Sequence, residues 1–307
     1  MKAIMYHYIH DDHTKNPYKS FLHMEDFKRQ LDFFETNYGI MKKSDFLDGI
    51  KNKQFKNSSE VILTFDDGLK DHYQFVFPEL NQRGLWGIFF IPSYILHFHD
   101  LLDVHKLHII ISYPEGQKLL KEALNYWLDK NLNETALYPE LYKYQQNEDD
   151  IVQMKKIINY FLPIKYREKL LNNVLELLHI DTSKAAEQHY MSYSELSILQ
   201  QNGMIIGSHS ISHNILSRLS EYKQHQEIIN SFNDIFTTFS NTELKIFSFP
   251  YGRDGTFNEK TLKILSKSNY DCAFMVKHDE IQGNVSDNLF CLPRWDCNQF
   301  PFGKIRK

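Results

Sequence analysis

Two short segments of the sequence contain residue types that bind divalent metals. Thr64–Gly68 (TFDDG) places two adjacent carboxylates directly after a continuous apolar run, and His209–His213 (HSISH) places two imidazoles four positions apart. Neighbouring side chains of an extended chain point opposite ways, so one carboxylate could bind a cation while the other faces a water or a substrate. Histidines at i and i+4 lie on one face if the segment turns helically. Taken alone, each pattern is also compatible with an exposed acidic turn or a pair of surface histidines.

Two further segments with candidate functional side chains lie at the ends of predicted strands. Ser248–Arg253 (SFPYGR) contains a Pro-Tyr-Gly turn that could present a backbone N–H, and Leu292–Asp296 (LPRWD) contains an Arg and an Asp. Active sites of parallel α/β folds are built where the strands end. An Asp/His/His set with oxygen and nitrogen donors suits Zn²⁺ or another borderline divalent metal, and it leaves coordination positions for water and substrate.

The elements that must position these residues form an alternating pattern of short apolar runs and amphipathic stretches. The predicted strands are Lys2–Ile9, Val61–Phe65, Trp86–Ile91, Met204–Ser208, Lys245–Phe249, Cys272–Val276 and Phe290–Trp295. The predicted helices between them are Met24–Tyr38, Asp71–Arg83, Ser194–Asn202, Glu221–Phe239 and Phe257–Ser268. Such alternation implies right-handed parallel crossovers, so the sheet is either doubly wound or closed into a barrel.

One long segment, from about residue 97 to residue 190, interrupts this alternation. It has almost no strand signal, and helices are predicted over Gln117–Asp129, Ile151–Leu162 and Arg167–Leu178. Since no Gly/Ser linker flanks it, we expect a single domain over residues 1–307 with a helical insertion. Six potential metal ligands lie within His97–His108, a pattern more typical of a polar helix face or a cleft rim than of a second metal site. Tyr138–Tyr144 could stack on a sugar, but packing within the insertion is the more common role of such tyrosines.

Composition excludes several function classes. The 307 residues carry 35 Lys+Arg against 39 Asp+Glu, a net charge of −4, which is too balanced for a nucleic-acid binder that works by bulk charge. No apolar run approaches the length of a membrane span. Three cysteines without C-x-x-C spacing predict reduced thiols, and the N-terminus has no apolar signal-peptide core, so we expect a cytoplasmic location. The oligomeric state stays open.

The motifs TFDDG, HSISH and Phe249–Gly252 (FPYG), in this order, resemble those of the polysaccharide deacetylase family (carbohydrate esterase family four, the NodB-like homology domain). The opening Ile4–His7 (IMYH) resembles the members with permuted motifs, in which a Tyr-His pair lies near the N-terminus. The resemblance implies a distorted (β/α) barrel of about seven parallel strands. It also implies a metal-dependent N-deacetylase.

The resemblance also implies roles for individual residues. It makes Asp67, His209 and His213 the metal ligands and Asp66 the general base, while the backbone N–H of Tyr251 would stabilise the oxyanion. Zinc is the expected metal, with nickel, cobalt or manganese as alternatives.

The sequence departs from the usual family pattern in two places. Many members take their general acid from a Leu-x-His motif near the C-terminus, but no histidine follows Asp296. We therefore expect His7 to be the acid, with His10 as the second candidate, and Asp296 to orient His7. The third motif usually begins with Arg, where this chain has Ser248. Arg294 is the expected replacement and would pair with Asp66 to keep it ionised.

These features together predict a cytoplasmic, metal-dependent N-deacetylase acting on an N-acetylated sugar in surface polysaccharide or sugar-precursor synthesis. A lipid-linked or nucleotide-linked acetamido sugar, or an oligosaccharide, would be the substrate. One alternative is a metal amidohydrolase of the same fold that acts on a non-sugar amide. The other is a non-catalytic carbohydrate-binding relative, suggested by the missing C-terminal histidine.

Overall fold

The computed structural model describes residues 1–11, 20–130 and 149–306, without the side chains of residues 128–130 and 149. Tyr138–Tyr144 therefore lies outside the described residues. The described chain forms two compact units, one from residues 1–11, 20–98 and 189–306 and the other from residues 99–130 and 149–188.

The first unit is built on a closed sheet of parallel strands. Its seven strands are β1 (Lys2–Tyr6), β5 (Val61–Phe65), β6 (Ile88–Ile91), β7 (Ile205–Ser208), β8 (Ile246–Ser248), β9 (Cys272–Val276) and β11 (Leu292–Asp296). They pair in the order β1-β11-β9-β8-β7-β6-β5, and β5 returns to β1 with Ala3 opposite Ile62. The predicted (β/α) barrel of about seven parallel strands is confirmed.

Short strands and helices surround this barrel. The short strands are β2 (Ile9–His10), β3 (Leu22–His23), β4 (Gln54–Phe55) and β10 (Gly283–Asn284). The helices of the first unit are α1 (Met24–Asn37), α2 (Lys43–Asn52), α3 (Phe77–Gln82), α4 (Tyr94–His97), α10 (Tyr193–Gln201), α11 (Glu221–Thr238) and α12 (Glu259–Ser266). Among the described residues, no helix combines the length and the apolar character that crossing a bilayer requires.

Two elements differ from the sequence-based prediction for local reasons. The first strand ends at Tyr6 rather than Ile9, because Ile9 and His10 pair separately with Leu22 and His23. The predicted helix over Asp71–Arg83 starts instead as a π turn over His72–Val76, in which the Phe77 N–H donates to the carbonyl of His72. Pro78 follows at once and has no N–H for the carbonyl four residues earlier, which explains the loosened turn.

The barrel interior changes from apolar to polar along the strands. Alternate residues of a strand share one face, so Ile62, Thr64 and Asp66 point inward in succession. Ile62 belongs to an apolar cluster with Phe90 and with other inward residues near the start of the strands. Arg294 lies above this cluster, its guanidinium carbon 5.3 Å from the centre of the Phe90 ring. The fold therefore places the polar side chains at the carboxyl ends of the strands.

A single glycine makes room for this arrangement. A Cβ on Gly207 of β7 would lie 2.7 Å from the ring of Phe90. Such contacts do not occur in close-packed interiors, so a side chain here would displace the ring. Because the Phe90 ring lies against Arg294, a side chain at position 207 would disturb the polar end of the barrel as well as the core.

The second unit consists of helices and their connections, with no strand among its described residues. Its helices are α5 (Asp103–Ser112), α6 (Pro114–Lys130), α7 (Asp149–Lys156), α8 (Ile164–Leu177) and α9 (Thr182–His189), the last of which ends in the first unit. Two acids of the His97–His108 segment are neutralised by ion pairs inside this unit, Asp100 with Lys106 at 2.7 Å and Asp103 with Arg167 at 2.8 Å. The assignment of the whole chain as one domain with an insertion stays a prediction.

A buried amide on α1 offers a test of how the C-terminal segment is held. Gln30 accepts a hydrogen bond from the Tyr6 hydroxyl at 2.6 Å and donates to the carbonyls of Cys297 and Pro301 at 3.0 and 2.8 Å. Gln30→Leu leaves these groups without their partner, so we expect the free energy of unfolding to fall by about 2–3 kcal/mol in urea titrations. Asn37→Ala, an exposed amide on the same helix, should change it by less than about 0.5 kcal/mol. Equal effects of the two variants would contradict this account.

Candidate metal and catalytic site

Three predicted metal ligands come together at the carboxyl ends of β5 and β7. Oδ1 of Asp67 lies 3.5 Å from Nε2 of His209 and 3.3 Å from Nε2 of His213, and one donor atom from each residue lies within 4.8 Å of the other two. All three residues are buried. Among the described residues, this is the one group of three or more His, Cys, Asp or Glu side chains whose ligand atoms converge in this way.

The protonation of His209 suits metal binding. Its Nδ1 lies 2.8 Å from the carbonyl oxygen of Ser248, which can only accept, so Nδ1 carries the proton. Burial lowers the pKa of His209, and the charge of Arg294 acts in the same direction against the opposing carboxylates. A neutral imidazole therefore presents the lone pair of Nε2 toward Asp67, as a metal ligand requires.

The HSISH segment is a loop, not the helical turn that would have placed the histidines on one face. Ser210 and His213 have left-handed backbones with φ of 61° and 55°, and the two imidazole centroids lie 4.9 Å apart. Glu227 on α11 holds this loop, since its Oε2 accepts from the N–H groups of Ile211 and Ser212 at 2.9 Å each. Its Oε1 accepts a short hydrogen bond from the Ser212 hydroxyl.

Asp66 is paired with the arginine that the sequence suggested. Two guanidinium nitrogens of Arg294 donate to Oδ1 and Oδ2 of Asp66 at 2.7 Å each, and both residues are almost completely buried. Arg294 also donates to the hydroxyls of Thr64 at 3.2 Å and Ser248 at 2.7 Å. The small Ser248, at the position where the family usually has Arg, thus accepts a hydrogen bond from an arginine that reaches the site from β11.

The electrostatic surroundings keep Asp66 ionised. Burial alone would raise the pKa of Asp66, but the charge and hydrogen bonds of Arg294, the largest of the opposing effects, hold the pKa below its usual value. Nε2 of His209 lies 4.0 Å from Oδ2 of Asp66. The carboxylate is therefore charged beside the converging metal ligands.

Tyr251 lies in a strained turn at the end of β8. Its φ is 62°, and the N–H of Gly252 donates to the carbonyl of Pro250 at 2.7 Å across it. The Tyr251 ring lies 5.1 Å from the His213 ring, which places this turn beside the metal ligands. A left-handed tyrosine is a costly conformation of the kind that persists at functional sites.

The two candidate acids lie in different surroundings. His7 follows the last residue of β1, and its electrostatic interaction with Asp66 makes a minor contribution to the lowered pKa of that carboxyl. His10 lies instead between Phe21 and Phe75, at ring distances of 5.5 and 4.9 Å, with Nδ1 3.5 Å from Asp11.

Asp296 has a local role at the start of the C-terminal segment, and its predicted role of orienting His7 stays a prediction. Oδ1 of Asp296 accepts the N–H of Asn298 at 3.0 Å and caps the short 3₁₀ turn Cys297–Gln299. The carboxylate is turned toward the chain that follows it.

Comparisons with known proteins agree with the motifs. A family model described as polysaccharide deacetylase matches residues 174–273, a stretch that contains HSISH and FPYG and leaves TFDDG outside. A protein of Bacillus subtilis (strain 168) named "Putative polysaccharide deacetylase YxkH" is 31% identical over 83 residues, which are 27% of this chain and 28% of that protein. The resemblance to the polysaccharide deacetylase family is confirmed.

Solved structures of polysaccharide deacetylases and related enzymes share the fold. The Streptococcus pyogenes deacetylase PplD, solved with acetate, covers 100% of this chain and 98% of its own at a TM-score of 0.59 and 14% identity. A de-N-acetylase from Aggregatibacter actinomycetemcomitans covers 96% of this chain and 93% of its own at a TM-score of 0.56 and 14% identity. At such low identity these likenesses show the barrel fold alone.

Family resemblance does not point to Glu227, which the sequence analysis missed. It lies on a helix, 14 residues after the second histidine of HSISH, and a polar residue on a predicted amphipathic helix looks like part of its exposed face. Only the fold shows that its carboxylate faces the loop. Ser248 stood out only as a departure from the family pattern.

Replacing Arg294 should raise the pKa of Asp66. Arg294→Met leaves a buried carboxylate without its counter-charge, so the acid limb of the pH–rate profile for acetate release should move to higher pH. The free energy of unfolding should fall by about 3–5 kcal/mol at neutral pH. In the wild type this contribution is complete above the unfolded carboxyl pKa of about 4 and disappears as pH falls through the lower folded value. Arg294→Lys keeps the charge but not the bidentate contact, so its acid limb should move by less. An acid limb that does not move in Arg294→Met would contradict the pairing.

Replacing Glu227 should loosen the loop that carries His213. A glutamine cannot accept three hydrogen bonds with the same strength, so Glu227→Gln should weaken zinc affinity roughly 10-fold to 100-fold in competition titrations against a chromogenic chelator. Glu221→Gln is the matched control, because Glu221 lies exposed on the same helix and pairs with Lys260 at 3.5 Å. Equal zinc affinity in Glu227→Gln and wild type would rule out this role.

Proposed function

We propose that this protein is a metal-dependent N-deacetylase that hydrolyses the acetamido group of an N-acetylated sugar. The observation that carries the proposal is the convergence of Asp67, His209 and His213 beside a second, ionised carboxylate, Asp66. A metal-binding protein needs only the first three groups. The fourth supplies a base at the place where hydrolysis needs one.

The three converging groups fit a divalent cation. One carboxylate oxygen and two imidazole nitrogens are a common protein contribution to a catalytic zinc site, and the His209 tautomer already offers the correct nitrogen. A divalent cation held there would polarise the acetamido carbonyl and lower the pKa of a water molecule. Zinc is the proposed metal, with nickel, cobalt or manganese as alternatives of similar ligand preference.

Asp66 is the proposed general base. Its charge is maintained by Arg294, so it can accept a proton from the attacking water at neutral pH. Arg294 also fixes the direction of the carboxylate, because both oxygens are held by the same planar guanidinium.

Two further groups complete the proposed reaction. The backbone N–H of Tyr251, in its turn beside His213, would donate to the oxygen that becomes negative when the amide carbon is attacked. The imidazolium of His7 would then give its proton to the departing nitrogen, since an amide anion is too basic to leave unassisted. This releases acetate and a free amine.

The substrate follows from the reaction class and the family resemblance. We propose an acetamido sugar carried on a lipid or a nucleotide, or an oligosaccharide, in surface polysaccharide or sugar-precursor synthesis. The predicted cytoplasmic location is part of this proposal and remains a prediction. A non-sugar amide is the alternative substrate, and the pairing of Arg294 with Asp66 argues against a purely binding role because a lectin has no use for a buried, ionised base.

Acetate release tests the proposal directly. Zinc-loaded protein should release acetate from N-acetylglucosamine oligomers or UDP-N-acetylglucosamine, and a chelator should abolish the activity until zinc is restored. Asp66→Asn should reduce kcat roughly 10²-fold to 10⁴-fold while zinc stays bound, whereas Asp67→Ala should lose both zinc and activity.

His7→Ala and His10→Ala separate the two candidate acids, and only the first should lower kcat strongly. Ammonia or a ring-opened product from a non-sugar amide, in place of acetate, would favour the amidohydrolase. No turnover of any amide by the zinc-loaded wild type would leave the binding-protein alternative.

A further inference from the structure

His72 is a buried histidine to which the proposed reaction gives no role. It opens the π turn that follows TFDDG, and its side chain is fully buried. Its ring lies 5.4 Å from the ring of Phe65 and 5.9 Å from that of Phe89, with the edge of one ring toward the face of the other. The imidazole is thus packed between the helix and two strands of the barrel.

The hydrogen bonding of His72 identifies its tautomer. Nε2 lies 2.7 Å from the backbone carbonyl oxygen of His7, and because a carbonyl can only accept, Nε2 carries the proton and donates. Nδ1 is buried and has no hydrogen-bond partner among the described residues. Burial lowers the pKa of His72 to about 4, so the ring is neutral at physiological pH. A buried imidazole that donates from one nitrogen only acts as a fixed donor.

The segment from Asp66 to His72 donates hydrogen bonds to two consecutive backbone carbonyls at the end of β1. The N–H of Asp66 donates to the carbonyl of Tyr6 at 3.0 Å, and the side chain of His72 donates to the carbonyl of His7. Tyr6 opposite Phe65 is the last residue pair between β1 and β5, so His7 lies beyond the ladder. His72 thus supplies the donor that a further strand residue would have provided.

We propose that His72 is a positioning residue for His7. By holding the His7 carbonyl, its Nε2–H fixes the backbone that carries the His7 imidazole, a group that interacts electrostatically with Asp66. This inference rests on the proposed function, in which His7 is the general acid. The segment from Asp66 to His72 would then position both proposed groups, since it contains the base and holds the backbone of the acid.

The energetic reason lies in the geometry of proton transfer. A general acid works only within hydrogen-bond reach of the leaving group, and a misplacement of about 1 Å can reduce the rate roughly 100-fold. The His7 side chain is only partly buried, so packing alone does not fix it. A donor anchored between Phe65 and Phe89 restricts the peptide group instead.

Substitution of His72 tests this role through kcat and KM. His72→Phe keeps an aromatic ring against Phe65 and Phe89 but removes the donor, and we expect kcat for acetate release to fall roughly 10-fold to 100-fold. KM should stay within about twofold and zinc affinity should not change, because neither depends on His7. His72→Gln has a side-chain N–H that can reach the same carbonyl and should restore kcat to within about threefold of the wild type.

Control variants separate positioning from loss of fold. His225→Phe changes an exposed histidine on α11 and should leave kcat unchanged. If His72→Phe does not fold, His72→Met, which fills a similar volume without a donor, takes its place in the comparison with His72→Gln. A merely structural histidine would lower stability and kcat in step, and glutamine would not rescue catalysis.

Nuclear magnetic resonance gives a readout independent of turnover. In protein with ¹⁵N-labelled histidine, His72 should show a neutral ring protonated at Nε2, and the His7 ring signals should shift or broaden in His72→Phe. Undisturbed His7 signals, or an active enzyme in which His72→Phe keeps full kcat, would overturn the inference. An inactive wild type would instead refute the proposed function, and the His7 signals would still show whether His72 holds that residue.

Discussion

The buried pair of Asp66 and Arg294 is the interaction on which the rest of the site depends. A carboxylate inside a barrel is stable in its charged form only if a partner compensates for lost hydration, and Arg294 does so with two hydrogen bonds of 2.7 Å. Arg294 in turn needs Thr64 and Ser248 as acceptors and the face of Phe90 beneath it. The apolar residues near the start of the strands and the polar residues at their carboxyl ends therefore depend on each other for packing. A substitution in either group affects the charge of Asp66.

Backbone strain is concentrated around the same place. Seven non-glycine residues of the described chain have positive φ, and four of them belong to the candidate site: Asp67, Ser210, His213 and Tyr251. Each such residue costs of the order of 1 kcal/mol or more, so surrounding contacts must hold it. Glu227 does this for the loop between the two histidines. The fold thus maintains costly local conformations to bring three donor atoms within 4.8 Å of one another.

Much of the fold could be predicted from sequence because its signals are local. The strand Val61–Phe65 is a continuous apolar run, and Cys272–Val276 was predicted with its observed bounds. The site was less predictable, since HSISH has helical spacing but forms a loop whose shape depends on the carboxylate of Glu227 on the following α-helix. The burial of His72 could also have been predicted from the sequence. His72, Val76 and Leu80 follow one another at intervals of four residues, and because the two apolar residues are buried, His72 lies on the inner face of its helix. Its acceptor, a carbonyl 65 residues earlier, follows only from the pairing of β1 with β5.

The closed barrel explains how the proposed acid, His7 near one end of the chain, and Arg294 near the other can belong to one site. β1 lies between β11 and β5, so the end of the first strand, the end of the last strand and the TFDDG corner are neighbours on one face. A closed sheet has no edge strands, and the place where the chain starts does not affect which strand ends meet. His7, Arg294 and Asp66 therefore converge although 228 positions separate the last two. The proposed acid therefore lies on the same rim of the barrel as the proposed base.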